Sequence, residues 1–203
     1  MTTLSTKRKV MASMGIPQTA TWLRAFTCLV SRLVNAFRLA GCPCHARNVR
    51  RSRRVLRAIR SFTEPGMAGR CFSYLRQVDP LVFEEVVLSA LEDAGALVLR
   101  NRRYTGDGGV DGVVWIATHG WIAVQVKRYS GYIDVQHVLK FDHVVRRGRF
   151  AGGLLVHTGR SGKGAREAMR GGRIALLSGD RLLCLVRERQ LGGWRTGWSA
   201  QGK

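Results

Sequence analysis

The stretch GDGGVDGVVW, residues 106–115, sets two aspartates in a glycine-rich turn, and VQVKRY, residues 124–129, then places a lysine two residues after a glutamine. An acid after a turn, followed by a polar residue and a lysine two apart on an extended run, suits phosphodiester hydrolysis. A hard divalent cation takes oxygen ligands. Asp111, Glu84 and the side-chain oxygen of Gln125 can supply them, with the carbonyl of Val126 as one more. Such a cation lowers the pKa of a bound water and polarises a phosphoryl oxygen. Lys127 would orient or deprotonate that water, or stabilise charge in the transition state. Gly106, Gly108 and Gly109 let the turn bend and let a DNA backbone come close. Singly, these residues read as a turn aspartate, a strand-end lysine and a helix-margin glutamate. Their order gives them weight.

The elements that must position them can be read around these residues. Residues 79–95 form a helix, with Asp79 as cap, Pro80 in its first turn and Gly95 as its stop. Its apolar stripe is Phe83, Val86, Val87, Ala90, Leu91 and Ala94. Glu85 projects about 170° from the stripe's centre, beside Ser89 and Glu92, and is expected to face water. Glu84 lies about 70° from it, at the margin of the apolar face, where an acid needs a partner or a cation. Strands follow at 96–104, at VDGVVWIA and at WIAVQVK. A three-residue loop, Thr118-His119-Gly120, with Gly120 left-handed would pair Ala117 with Trp121, Val113 with Gln125 and Asp111 with Lys127. That register converges Asp111, Gln125 and Lys127 on one face. A helix over 134–148, a buried strand over 152–158, a short helix opened by Ser161, a strand over 173–179 and a helix over 180–189 complete the order. The expected fold is α/β: a mixed central sheet flanked by helices.

FEEVV, GDGGVDG, QVKRY, GGLLVHTG and ALLSGDRLLCLV fall in this order between residues 79 and 187. Together they resemble the Mrr-type restriction endonucleases of the PD-(D/E)xK nuclease superfamily. The resemblance implies a restriction-endonuclease-like core and a magnesium-dependent DNA endonuclease, with manganese as the substitute ion. It implies Asp111, Gln125 and Lys127 as the D…QxK motif and Glu84 as the helix glutamate. Gln125 stands where the superfamily more commonly has an acid, a change the Mrr branch accepts. The family often cuts modified DNA through a separate N-terminal reader. Residues 1–75 show no clear winged helix, so the resemblance leaves modification dependence open.

The bulk composition agrees with a polyanionic partner. The 203 residues carry 34 Lys and Arg against 13 Asp and Glu, for a net charge of +21. Double-stranded DNA is the expected partner, although a packing protein without enzymatic activity would share the charge. Residues 1–75 hold 14 of the basic residues and a single acid, Glu64. They read as a basic, partly disordered extension with an amphipathic helix near 20–40, ahead of a catalytic domain at 76–189 and a loose tail at 190–203. In that helix Trp22, Leu23, Phe26, Leu29, Val30, Leu33, Val34 and Phe37 share one side, and Arg24, Ser31, Asn35 and Arg38 the other. The expected roles are docking on a neighbouring surface or contact with a membrane surface. RNVRRSRRVLRAIR, residues 47–60, has seven arginines and reads as a solvated linker or a DNA contact. Five cysteines and no secretory signal indicate reduced thiols and a cytoplasmic protein. CPCH, residues 42–45, is half of a zinc pattern whose second pair does not follow. HTGRSGKGA resembles a P-loop but lacks its first glycine and its hydroxyl. Its Arg160 and Lys163, with Arg128, are the expected phosphate contacts. The alternatives are a Holliday-junction resolvase or repair nuclease on the same fold, a non-cleaving DNA-binding accessory protein, and a membrane-tethered nuclease. A homodimer is compatible with all of them.

Overall fold

The computed structural model describes residues 18–63, 65–102, 104, 108–117, 119–170 and 172–191. Gly106, Thr118, the first 17 residues and the tail from 192 lie outside them. Five strands form one mixed sheet in sequence order: β1 (Leu97–Arg100), β2 (Gly112–Ile116), β3 (Gly120–Lys127), β4 (Gly152–His157) and β5 (Ile174–Leu177). β1, β2 and β3 are antiparallel neighbours, while β3, β4 and β5 run parallel. The β3-to-β4 crossover is α5 (Val135–Arg147), and α6 (Lys163–Ala168) joins β4 to β5. β4 is buried along its whole length, which is why GGLLV is continuously small or apolar rather than alternating, with the buried His157 closing the strand.

Alternation along β3 divides the core in two. Ile122, Val124 and Val126 pack with Leu154 and Val156 beneath α2 (Pro43–Ser61), α3 (Met67–Gln77) and α4 (Pro80–Asp93). Ala123 and Leu155 pack on the other side with Phe141, Val145 and Ala165 of α5 and α6. The expected caps are in place. Asp79 accepts hydrogen bonds from the Leu81 and Val82 amides, and Asp134 accepts one from Gln136. The short helix begins one residue later than expected, capped by Gly162 instead of Ser161. The last helix is α7 (Gly179–Leu183), continued by a π-helical turn, Cys184–Glu188.

The hairpin register differs from the expected one. Ile116 pairs with Gly120, Trp115 with Trp121, Val113 with Ala123 and Gly112 with Val124. Gly120 is left-handed, φ +85°, but it serves as the first paired residue instead of the last loop residue. Three residues still separate the paired positions, so the parity of the faces is kept while every pairing moves by two. Trp115 and Trp121 meet edge to face at 5.2 Å, a cross-strand aromatic pair that favours this register.

The larger correction concerns the polar side of α4. Glu85 does not face water: it is buried, as are Ser89 and Glu92 on the same side. α1 (Gln18–Arg38) and α2 cover this face. Arg100, at the end of β1, enters from the sheet. Its Nε donates to Glu85 Oε2 at 2.7 Å, its Nη1 reaches Glu92 Oε1, and its Nη2 donates to Ser89 Oγ at 3.0 Å. His45 of α2 stands 3.1 Å from the other Glu85 oxygen. Arg53 reaches Glu92 and Asp93, and Arg60 lies 2.9 Å from Asp93. Burial alone would push the Glu85 carboxyl up. The His45 hydrogen bond and the Arg100 guanidinium outweigh it and hold the carboxyl below its ordinary range.

The arginine run is therefore no linker. It is α2, whose Val55, Leu56 and Ile59 belong to the main core. CPCH is the start of that helix: His45 is engaged with Glu85, and all five cysteines are free thiols. α1 is the expected amphipathic helix, but it docks by its polar side. Ser31 Oγ donates to Glu92 and lies 3.1 Å from both the Val98 carbonyl and amide. Asn35 Nδ2 donates to the Val98 carbonyl at 2.7 Å, and its Oδ1 accepts from the Arg100 amide at 2.9 Å. Trp22, Phe26, Leu29, Leu33 and Phe37 are left on the outside.

Candidate active site

β2 begins at Gly112, and the residue before it, Asp111, holds the edge of the neighbouring strand. The Asp111 amide donates to the Val124 carbonyl at 2.8 Å, and its Oδ2 accepts from the Val126 amide at 2.6 Å. The carboxylate thus takes the place of the next ladder acceptor, where the chain has turned away from β3. Buried amides require such a partner. Since N–H and C=O of a strand residue point to the same edge, the Val126 carbonyl projects toward Asp111 as well.

Gln125 is buried on the α5 side of β3, and its Nε2 donates to the Gly109 carbonyl at 2.5 Å. This anchors the amide and makes Oε1 its remaining acceptor. Gly109 is required by two facts. Its φ is +84°, and a Cβ there would stand 2.7 Å from Gln125 Nε2. The close approach that demands a glycine is therefore the glutamine side chain. Lys127, at the end of β3, shares the face of Gln125 by alternation and is half-buried.

Glu84 comes from the opposite layer. It is half-buried on α4, one turn before Leu88. Leu88 presses on the start of β2: a Cβ on Gly112 would stand 2.8 Å from its Cδ2. Residues i and i+4 share a helix face, so Glu84 lies on the side of α4 turned to the Asp111 segment. The structure thus fastens Asp111 to Val124 and Val126, the neighbours of Gln125, and Gln125 to the Gly109 turn, with Lys127 two residues along and Glu84 on the facing side of the helix. Among the described residues no three His, Cys, Asp or Glu side chains form a metal-binding cluster. The donors gathered here are of another kind: a carboxylate, an anchored amide oxygen and a main-chain carbonyl. That all-oxygen set fits a hard divalent cation.

Next to Lys127 in the parallel register is His157, with no exposed surface. Burial pushes its imidazole down to about 4. Nδ1 accepts from the Gly159 amide at 3.1 Å, and Nε2 lies 3.3 Å from Ser161 Oγ. A neutral ring leaves Lys127 free of a second cation beside it. Because the folded pKa lies below the ordinary 6.5, this histidine contributes stability that is complete above about pH 6.5 and lost as pH falls toward 4. Urea unfolding between pH 7 and 4 should show that decline, and His157→Gln should flatten it. An unchanged slope in the variant would assign the decline to other groups.

The expected phosphate contacts differ in their settings. Arg128 Nη1 donates to the Arg76 and Val78 carbonyls at 2.9 and 2.7 Å, capping the end of α3. Arg76 in turn donates to the Thr158 carbonyl at 2.7 Å, and the Thr158 hydroxyl bonds both the amide and the carbonyl of Tyr129. Sequence reasoning missed the Arg76–Thr158 contact, because it joins α3 to the end of β4 across 82 positions; His157 is buried, in keeping with a structural histidine. Arg160 and Lys163 are exposed, Lys163 lying 3.9 Å from Glu167 in a surface pair of little energetic weight.

A family model described as Mrr_cat, restriction endonuclease, matches residues 75–186. Among solved structures, "MspJI Restriction Endonuclease in Complex with 27-mer Oligonucleotide" is similar at 18% identity and a TM-score of 0.43, over 64% of this chain and 34% of that one. The chain thus corresponds to 34% of that protein's length. No curated protein matches.

Proposed function

The chain belongs to the Mrr_cat family of restriction endonucleases, and on that premise we propose that it hydrolyses double-stranded DNA with Asp111, Gln125 and Lys127 as its central residues. The observation that carries this reading is the Asp111 carboxylate fastened to the Val126 amide beside a Gln125 amide anchored by the turn. Asp111, Gln125 Oε1 and the Val126 carbonyl would hold magnesium, or manganese in its place, with Glu84 as the further carboxylate. A divalent ion so held would supply Lewis-acid polarisation of the phosphoryl oxygen and a more acidic water. Val126 fixes the Asp111 carboxylate, and Gly109 stops the Gln125 amide from rotating. Lys127 places a compact positive charge at the end of β3, where the scissile phosphate would lie. Arg160 and Lys163 would meet flanking phosphates, and Arg128 would steady the end of α3 beside them. The cytoplasmic setting read from the cysteines belongs to the same proposal.

Plasmid cleavage tests it. Purified protein should nick or cut plasmid with Mg2+ or Mn2+ and stop with EDTA, and matched methylated and unmethylated plasmids would show whether modification is required. Binding without cleavage under every ion and methylation state would favour an accessory DNA-binding role.

Lys127→Ala should lower the single-turnover cleavage rate by about 100-fold or more, the order seen when one transition-state donor is removed. Lys127→Arg should fail as well, since a guanidinium keeps its proton and has a planar fork in place of a point charge. Metal affinity, measured by calorimetry, should survive in both. Normal cleavage by the arginine variant would reduce Lys127 to a generic cation.

A further inference from the structure

Trp22, Leu23, Phe26, Leu29, Leu33 and Phe37 run down one side of α1 with exposures between 55% and 85%. Single exposed leucines are ordinary, but a continuous apolar run of this size marks a contact surface. α1 cannot roll to bury the run against its own sheet without breaking the Ser31 and Asn35 bonds to Glu92, Val98 and Arg100. Its C-terminal half borders a groove between α1 and α2. Ala36 and Ala40 form one wall, Ala46 and Val49 the other, and Arg32 and Arg50 also line it.

We propose that this face seats on an anionic phospholipid surface, with α1 lying in the plane of the interface. The occupant must cover apolar side chains and also accept cations. Residues 18–63 contain ten arginines and no acid; Arg32, Arg53 and Arg60 are held by Glu92 and Asp93 of α4, and Arg47, Arg50, Arg51, Arg54 and Arg57 remain exposed. A second copy would bring the same charges to the flanks of the seam and no acid to pair with them, so like charges would oppose its docking. DNA accepts the cations but gives Trp22 and Phe26 no apolar surface. A bilayer surface offers acyl chains and negative headgroups together. Among the described residues no helix is long and apolar enough to cross a membrane, and one side of α1 is fastened to the protein, so the geometry is that of a helix lying flat.

The test uses the full chain with vesicles of phosphatidylglycerol and phosphatidylcholine, against vesicles of phosphatidylcholine alone. A protein of charge +21 adsorbs to any anionic surface, so the apolar share must be read separately. The charge-preserving double variant Phe26→Ser with Leu33→Ser changes only exposed side chains. In about 0.5 M NaCl, where charges are screened within several ångströms, its affinity for the anionic vesicles should fall at least about tenfold, given the transfer free energy of a Phe and a Leu. Plasmid cleavage and DNA affinity should be unchanged, which separates this result from any failure of the nuclease reading. Anionic lipids with brominated chains should quench tryptophan fluorescence, and Trp22→Phe should remove that quenching. Equal vesicle binding by the double variant would overturn the proposal in favour of plain adsorption. A wild-type dimer that the double variant converts to monomer, without an apolar contribution to vesicle binding, would assign the face to a second copy. Weakened DNA affinity in the double variant would assign it to nucleic acid.

Discussion

Asp111→Asn should leave a folded protein that binds DNA and does not cut it. Asparagine keeps an oxygen for the Val126 amide, now 2.6 Å from Asp111 Oδ2, so the edge of β3 stays fastened. What goes is the charge that would hold a cation. Metal polarisation contributes several kcal/mol to the transition state, and a loss of ~4 kcal/mol is about a thousandfold in rate. On the proposed reading DNA affinity would rest on phosphate contacts spread over a basic surface and should change little. Single-turnover cleavage and filter binding on the same preparation measure both quantities. Asp111→Ala should behave alike in cleavage but also lose thermal stability, because it strands the Val126 amide. Cleavage at the wild-type rate by Asp111→Asn would remove this residue from the chemistry altogether.

The second large effect is on stability. Arg100→Ala should cost about 3–5 kcal/mol, the usual penalty for removing one partner from a buried ion pair. Glu85 and Glu92 are each 1% exposed and would be left as buried carboxylates, though His45 and Arg53 would remain beside them. Against a total stability of about 5–15 kcal/mol, that brings the fold near its limit. The deficit should depend on pH. In the wild type the Glu85 carboxyl is held below its ordinary range, so its contribution is present above the usual carboxylate pKa and lost as pH falls through the folded value. Without Arg100 the carboxyl keeps only its His45 partner against burial and rises from its wild-type position, so protonation relieves the variant sooner. Urea unfolding at pH 7 and pH 5 should therefore show a smaller gap between variant and wild type at pH 5. A gap that widens on acidification would contradict this assignment. Glu85→Gln should also destabilise, instead of behaving as a neutral surface change.

That outcome separates what local pattern can and cannot reveal. Asp79 and Asp134 cap their helices as their positions indicate, and β4 is buried as its apolar run indicates. The expected three-residue hairpin gap leaves Asp111 and Gln125 on one face even though the pairing moves by two, because an odd gap of the same length preserves face parity. The helical wheel misplaces Glu85 for a physical reason. A helical wheel reports which residues share a side, and it does not report what covers that side. Here a second polar surface, made of His45, Arg53 and Arg100, meets the first. Ser31 and Asn35 show the same limit, since their burial depends on main-chain groups of β1 that no periodicity announces.

Two contacts of large sequence separation bear on how the fold closes. Arg60 Nε donates to the Val186 carbonyl at 2.9 Å across 126 positions, and Arg24 Nη2 donates to the Arg189 carbonyl at 2.7 Å across 165. α1 and α2 are thus fastened to the segment around Cys184–Glu188, far from them in the sequence. Long-range closures of this kind slow folding, since loop entropy is lost before the contact forms. During folding these arginines therefore stay unfastened until the segment bearing Val186 and Arg189 has come back onto α1 and α2.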